Sequence, residues 1–358
     1  MELQPGQVNW GAVNPQPYPG AVRMWILRSF AAGAKILCTY RYRQALFSSE
    51  LYHYGIVGPD GVTLSSGGEE YRQAMKEIRS LRQQYDPKRR APSAYTARAA
   101  GLLFRYDNRW DIDNHKQNKR WDTTSHVLKY YRALKALGAP VDVITQEKDF
   151  GKYPFLIAPA YQLIDRALVD RLRDYVEAGG HLVLSCRSGQ KDRQGHLWES
   201  QWAAPIRDLI GARIQFYDTL PEPWKAEVKV GEKRFSWRTW GDILKPDAGT
   251  KILATYAGQF YSGSAAAVNR KLGKGTVTYI GVDSEDGRLE RALVRGAYLA
   301  AGMPVLDLAE GMFVDWRDGF WVATNFSSTT QKAPLTLPAK LLMGTADVKP
   351  AGVTVWVE

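Results

Sequence analysis

The chain opens on a carboxylate followed by a rigid turn, Glu2-Leu-Gln-Pro-Gly-Gln-Val-Asn-Trp10. Pro5 fixes φ and Gly6 permits a positive one, so the direction in which the backbone presents Glu2 is set by its neighbours. Trp10 then offers a large flat apolar ring. An aromatic platform beside a carboxylate suits a sugar, because a pyranose has an apolar C–H face and a rim of hydroxyls. By residue type alone, the same pattern fits an ordinary surface acid.

A second acid, Glu50, lies in Glu50-Leu-Tyr-His53-Tyr-Gly55. A carboxylate that binds hydroxyls must stay ionised, whereas a general acid needs an apolar pocket to raise its pKa. His53 falls on the side of Glu50 in a helical turn, or simply near it in a loop. Taken alone, it reads first as a surface loop histidine.

The elements that position these residues read as βα units over residues 1 to about 90. Val22, Trp25, Ile26 and Phe30 recur at helical spacing after Pro19-Gly20, and Gly33 supplies a left-handed cap. Ala34 to Tyr40 is a short apolar strand, and Arg41 to Gln44 follow it where a barrel strand delivers functional side chains. A long Gly-rich loop over Ala45 to Gly68 precedes an amphipathic helix from Glu69 to Tyr85, with Tyr71, Ala74, Met75, Ile78 and Leu81 on one face.

Together these motifs resemble the family 42 glycoside hydrolases, the retaining β-galactosidases. The Glu2 to Trp10 segment is similar to that family's nucleophile segment at the end of the seventh strand of a (β/α)8 barrel. Asn14-Pro15, Pro17-Tyr-Pro-Gly20 and Arg23-Met-Trp25 resemble the following helix. Tyr40-Arg-Tyr-Arg-Gln44 resembles the end of the eighth strand, and Glu50-x-x-His53-x-Gly55 a segment that holds galactose. The resemblance implies Glu2 as nucleophile, Trp10 as an apolar wall, and Glu50 and His53 on galactose hydroxyls. It covers the whole chain but only the later part of the family's length.

A complete (β/α)8 barrel needs about 250 residues. The resemblance therefore implies that the chain starts at the end of strand seven, without strands one to six. In the family the acid/base Glu precedes the nucleophile by far more residues than are present here, so no position inherits that role. Glu50 is the one local acid that could replace it, and the family pattern assigns it to hydroxyls. The cysteine-ligated zinc often found in the family's barrel has no ligands here, so neither metal nor cofactor is expected.

Asp86-Pro87-Lys-Arg-Arg-Ala-Pro92 reads as a linker. Strands at Leu102–Tyr106, Val141–Ile144, Phe155–Ala158 and His181–Cys186 alternate with helices, one capped by Asp122 and ended by Gly138, another ending at Gly179-Gly180. That rhythm implies a parallel sheet covered on both faces. Over 213–282 it gives way to strands at Ala226–Val230, Arg234–Thr239, Lys251–Ala257 and Val277–Ile280. Gly273-Lys-Gly275 lacks the spacing of a phosphate loop and reads as a hairpin turn. Arg288 to Ala301 is a closing helix. From Met303 onward, apolar and polar residues alternate without a helical period.

The expected architecture is therefore α/β and multidomain. Residues 1–95 form the C-terminal part of a (β/α)8 barrel, and 303–358 a small antiparallel β-sandwich too small to stand without a neighbour. Residues 96–302 resemble the family's flavodoxin-like middle domain, itself similar to class I amidotransferases, which implies a homotrimer. That likeness raises Cys186 as a rival nucleophile. A nucleophile elbow needs flanking glycines, and Cys186 sits between Ser185 and Arg187.

Composition narrows the remaining classes. With 358 residues, 45% of them hydrophobic, the chain can bury a sizeable core. Cys38 and Cys186 offer no disulfide or metal spacing and are expected in the core. A formal charge of +11 would suit a polyanion, yet the basic residues are scattered and no nucleic-acid motif accompanies them. No apolar run reaches the roughly 18 residues of a membrane span, and no signal peptide is visible, so the expected compartment is the cytoplasm. The expected partners are a β-galactoside, two further copies of the chain and an upstream barrel polypeptide; the alternative is a catalytically silent assembly module.

Overall fold

The computed structural model describes residues 2–336 and 338–358. They divide into two compact units, one built from the residues up to Ser93 with Leu306–Glu358, the other from Ala94–Val305. Among the described residues no helix is long and apolar enough to cross a membrane.

The first unit starts with β1 (Glu2–Leu3), α1 (Ala21–Ala31), β2 (Cys38–Thr39) and α2 (Ser66–Ser80). β1 and β2 pair in parallel, Glu2 opposite Cys38 and Leu3 opposite Thr39. The strand expected over Ala34–Tyr40 is thus shortened to two residues, because its ladder extends only as far as its partner does. Cys38, expected in the core, is exposed: at so short an edge its side chain has nothing to pack under.

α1 follows its apolar spacing, and Gly33 ends it at φ 96°. α2 begins earlier than the loop reading of Ala45–Gly68 suggests. Ser65 caps it, its Oγ accepting from the Gly68 N–H at 3.0 Å. Gly67 and Gly68 thus lie in its first turn, and both are needed for close approach. A Cβ on Gly67 would stand 1.4 Å from the Pro5 carbonyl oxygen, and one on Gly68 2.0 Å from that of Ile56. Glu70 of α2 accepts from the N–H groups of Gly20 (2.7 Å) and Arg23 (3.1 Å), capping α1 with a carboxylate where its dipole favours one. Val22 and Ile26 of α1 then bury against Ala74 of α2.

The second unit runs through α3 (Ser93–Thr96), β3 (Ala100–Leu103), α4 (Tyr106–Asn114), α5 (Thr123–Ala136), β4 (Val141–Ile144), β5 (Phe155–Ala158), α6 (Arg166–Glu177), β6 (His181–Ser185) and α7 (Ala204–Ile210). There follow β7 (Ala212–Asp218), β8 (Ala226–Val230), β9 (Lys233–Pro246), β10 (Lys251–Ala257), β11 (Ala265–Leu272), β12 (Gly275–Ile280), β13 (Val282–Ser284) and α8 (Arg288–Ala300). One sheet of 11 strands results. Its parallel part has the order β4-β3-β5-β6-β12, and β11-β10-β8-β9-β13 continue it, with β7 also on β9.

Strand alternation explains the two cores. Phe155 and Ile157 face the core built with α5 and α8, while Leu156 and Ala158 face the one built with α6 and α7. Asp122 caps α5 from Ser125 N (2.7 Å), and Asp165 caps α6 from Leu168 N (2.7 Å). Gly273-Lys274 forms the expected two-residue turn between β11 and β12, Leu272 facing Gly275. β7, β11 and β13 are additions to the four strands expected in 213–282.

The chain then returns to the first unit as β14 (Met312–Arg317), β15 (Phe320–Asn325), β16 (Gln331–Lys332), β17 (Lys340–Met343), β18 (Asp347–Val348) and β19 (Val353–Val357). β14-β15-β19-β17 form an antiparallel sheet and β16-β18 a separate pair. Phe320, Val322, Val353 and Val355 share a core with Ala21, Met24 and Leu27 of α1. Arg28 pairs with Asp315, and Arg317 donates to the carbonyl of Ala34 at 2.9 Å. These strands therefore pack within the first unit, where the sequence partition sets 303–358 apart.

Candidate active site

The first unit gathers four segments around the end of β2. The Tyr40 N–H donates to the Leu3 carbonyl at 3.0 Å, extending the β1–β2 pairing by one bond. The chain from Arg41 to Val57 then folds back, with Ile56 N donating to Arg41 O (2.9 Å) and Tyr54 N to Gln7 O (3.0 Å). Gly55 makes this possible, since a Cβ there would meet the Gln44 nitrogen at 2.5 Å. Asn9 ties the opening segment to the same loop by donating to Ser49 O at 2.5 Å.

Glu50 is brought to Tyr40 and Arg41. Its Oε2 accepts from the Tyr40 hydroxyl at 2.7 Å and from Arg41 Nη1 at 3.0 Å. The tyrosine hydroxyl and the guanidinium thus converge on one carboxylate oxygen. The same contact pushes the Tyr40 phenol up, and the negative charge of Glu2 adds to the effect. The Glu50 side chain keeps 38% of its surface exposed, and among the described residues Oε1 has no hydrogen-bond partner. Tyr40 and Arg41 were legible as the functional end of a strand; their pairing with Glu50 was not.

His53 is enclosed, at 2% exposure. Its ring meets Tyr40 edge-on at 5.3 Å, Nε2 faces Gln4 Oε1 at 2.5 Å, and Nδ1 is buried without a partner among the described residues. Glu2 itself is exposed on β1. Trp10 is 71% exposed, and no contact joins it to Glu2 among the described residues. A cleft of about 400 Å³ opens beside Glu50, lined by Tyr40, Arg41, Arg43, Gln44, Phe47 and Ser48 among others. It offers what a small polyhydroxylated ligand needs: a carboxylate acceptor, guanidinium donors and an aromatic ring.

The second unit holds a catalytic-looking arrangement that the sequence did not disclose. His126 Nδ1 donates to Asp283 Oδ1 at 2.7 Å, and the Ser185 hydroxyl donates to His126 Nε2 at 2.8 Å. Burial lowers the His126 pKa and keeps the imidazole neutral. This is the connectivity of a Ser-His-Asp triad, yet Ser185 is 0% and His126 1% exposed. The Ser185 oxygen also accepts from Ala160 N at 2.7 Å, so the serine is both sealed from solvent and committed to bonds within the fold. The three residues pin α5 to β6 and β13. Cys186 fares no better as a nucleophile: it is fully buried, and burial pushes its thiol well above the usual range. The positive φ of the turn falls on Arg187 instead, at 69°.

Comparison with known proteins places both units. The family model described as the β-galactosidase trimerisation domain matches residues 97–304, and that described as β-galactosidase matches 1–81. β-Galactosidase BgaH of Haloferax lucentense is 32% identical over 339 residues, 94% of this chain and 49% of that protein. A β-galactosidase of Thermus thermophilus is 31% identical, over all of this chain and 52% of its own length. The solved structure of a polyextremophilic β-galactosidase from the Antarctic haloarchaeon Halorubrum lacusprofundi matches with a TM-score of 0.89 at 30% identity, covering all of this chain and 52% of that one. The chain spans about half the length of the curated relatives it matches. With a family model over more than half of its residues and relatives of this identity along its whole length, the chain belongs to the family 42 glycoside hydrolases, the β-galactosidases.

Proposed function

We propose that these 358 residues carry the nucleophile and part of the sugar-binding site of a retaining β-galactosidase. The observation that carries the reading is Glu50, its Oε2 held by Tyr40 and Arg41 with Oε1 left open, on a loop bonded to the segment that bears Glu2. In this reading 1–95 is the C-terminal part of a (β/α)8 barrel. Residues 96–302 are a flavodoxin-like trimerisation domain, a reading supported by the β4-β3-β5-β6-β12 order, which is 2-1-3-4-5 among the parallel strands. Residues 303–358 are the small β-sandwich.

Glu2 attacks the anomeric carbon of a terminal β-D-galactoside while a second carboxyl group protonates the departing oxygen, giving a covalent glycosyl-enzyme. The same second carboxylate then takes a proton from water, the water oxygen attacks that carbon, and Glu2 leaves, so two inversions give net retention. Trp10 supplies an apolar wall, and Glu50 and His53 serve the hydroxyls. The second carboxylate must lie about 5 to 5.5 Å from Glu2. Glu50 does not fill that role in this reading, because its Oε2 is already engaged by the Tyr40 hydroxyl and the Arg41 guanidinium. The acid/base group in this proposal comes from barrel residues outside the 358.

The test is hydrolysis of a chromogenic β-galactoside by the chain, alone and mixed with the first six barrel units of a relative, beside Glu2→Gln. Activity only in the mixture, lost in Glu2→Gln, is the expected result. Activity of the chain alone that survives Glu2→Gln refutes the assignment. A second reading, a catalytically silent module that assembles into trimers, is favoured by the match over 97–304. A trimeric mass in sedimentation, together with no activity in either setting, would support it.

A further inference from the structure

The geometry points to an oxyanion site in the second unit, on the loop 115–119 between α4 and α5, fitted to a phosphate group. It belongs to a different part of the chain from the candidate active site and does not rest on the glycosidase reading. Arg187 sets it up. At 2% exposure, its guanidinium lies between the Trp240 and Trp121 rings, 4.4 and 4.9 Å from their centroids. Held there, it donates through Nη2 to the His115 carbonyl and through Nη1 to that of Lys116, both at 2.9 Å. Both peptides are trans, and in a trans peptide the N–H points opposite to the C=O. Drawing those two carbonyls inward therefore turns the N–H groups of Lys116 and Gln117 outward. Among the described residues neither N–H has an acceptor.

The loop is fixed in that sense. Gln117 takes the left-handed region at φ 63°, Asn118 Nδ2 donates to the Thr239 carbonyl at 3.2 Å, and Arg120 is tied to the Leu220 carbonyl and to Glu222. A binding loop ordered beforehand loses little entropy when it closes on a ligand. The charge around the two N–H groups is of one sign. The acids of α4, Asp111 and Asp113, are taken by Lys191 and Arg109. The half-buried Lys116 and the exposed Lys119 have no ion-pair partner among the described residues. Burial lowers Arg187 only to about 10, so it stays charged, and it offsets the negative end of α4. Adjacent outward N–H groups, two unpaired ammonium groups and a buried cation behind them make a backbone anion nest. A phosphate dianion suits it better than a carboxylate. It carries more charge, and its several oxygens accept from both N–H groups and a lysine at once.

Inorganic phosphate titrated at constant ionic strength into the perdeuterated 358-residue chain, labelled with 15N-glutamine, tests this. The Gln117 N–H is the reporter, assigned through Gln117→Asn; phenyl phosphate is the second probe, and acetate and chloride are the controls. The expected result is a saturable shift of Gln117 with phosphate that acetate reproduces only weakly and chloride not at all. In Lys116→Gln/Lys119→Gln, binding should weaken about tenfold, the scale of two exposed charge contacts, with the urea midpoint unchanged. Phenyl phosphate bound as tightly as phosphate supports the site with a phosphate monoester as its ligand, and exclusion of the ester supports it with the free ion. Arg187→Met should lose the saturable shift while keeping both lysines, as expected of a positioning residue. Should that variant fail to fold, the lysine pair decides alone. A shift that does not saturate, or that chloride reproduces, means an adventitious ion only and overturns the inference. Phosphate binding unchanged by the loss of both lysines overturns it as well, and a folded Arg187→Met that binds like the native chain overturns the orienting role of Arg187.

Discussion

Removing the Asp283 carboxylate separates the structural and catalytic readings of the Ser185–His126–Asp283 arrangement. Asp283 accepts from His126 Nδ1 at 2.7 Å, from Lys129 Nζ at 2.5 Å and from the Thr239 hydroxyl, with its own side chain 8% exposed. Burial alone would raise its pKa, but the His126 and Lys129 donors overcome this and hold the carboxyl well below its usual range. Asp283→Ala leaves the Lys129 ammonium, 14% exposed, without its counter-charge. Breaking a buried pair in this way costs about 3–5 kcal/mol. With a urea dependence of about 1–3 kcal/mol per molar, the midpoint should fall by at least about 1 M, read by the fluorescence of the buried Trp121 and Trp240. Adding Lys129→Met to Asp283→Ala removes the orphaned charge and should recover a large part of the loss. A fall below about 1 kcal/mol, or a double variant no better than Asp283→Ala, refutes the reasoning. The pH dependence has a definite sign. A carboxyl depressed in the folded state contributes stability above its unfolded value near 3.8, and that stability is lost as pH falls below it. Asp283→Asn should lack this acid-side decline. A Ser185-dependent hydrolysis of p-nitrophenyl acetate would show that the serine is reachable after all; none is expected.

Three further outcomes follow from the packing. Gly67→Ala drives a Cβ to 1.4 Å from the Pro5 carbonyl, so it should destabilise the first unit by at least about 1–3 kcal/mol. Trypsin should then cut the 41–57 loop faster than in the native chain, whereas the exposed Ser80→Ala leaves the rate unchanged. Asp242 is raised from 3.8 to about 6 by burial, against the opposing bonds from Tyr279 and Trp240. Its protonated form is therefore the one folding favours, and stability from this group is full below pH 3.8 and lost as pH rises through about 6. That interval is worth roughly 3 kcal/mol between protonation states, and Asp242→Asn should flatten it in urea titrations at successive pH values. A thiol reagent should titrate the exposed Cys38 at once in the native chain and Cys186 only after unfolding; rapid reaction of both would contradict the burial of Cys186.

The sequence by itself determined what a short stretch of chain can decide. Asp122 and Gly138 delimit α5, and Gly33 ends α1, because caps and left-handed turns are settled by residues three or four positions apart. Strand–helix alternation gave the covered parallel sheet, and the order of four motifs gave the family. The tertiary structure alone decided what crosses many residues. Glu70 caps a helix fifty positions earlier, Gln4 meets His53 forty-nine positions away, and Ser185 finds a histidine and an aspartate on two other elements. Each is a polar group whose partner follows from how the elements pack, and no periodicity records that. Cys38 shows the same limit for apolar residues: its strand was legible, but whether anything covers a strand depends on neighbours that the local chain does not contain.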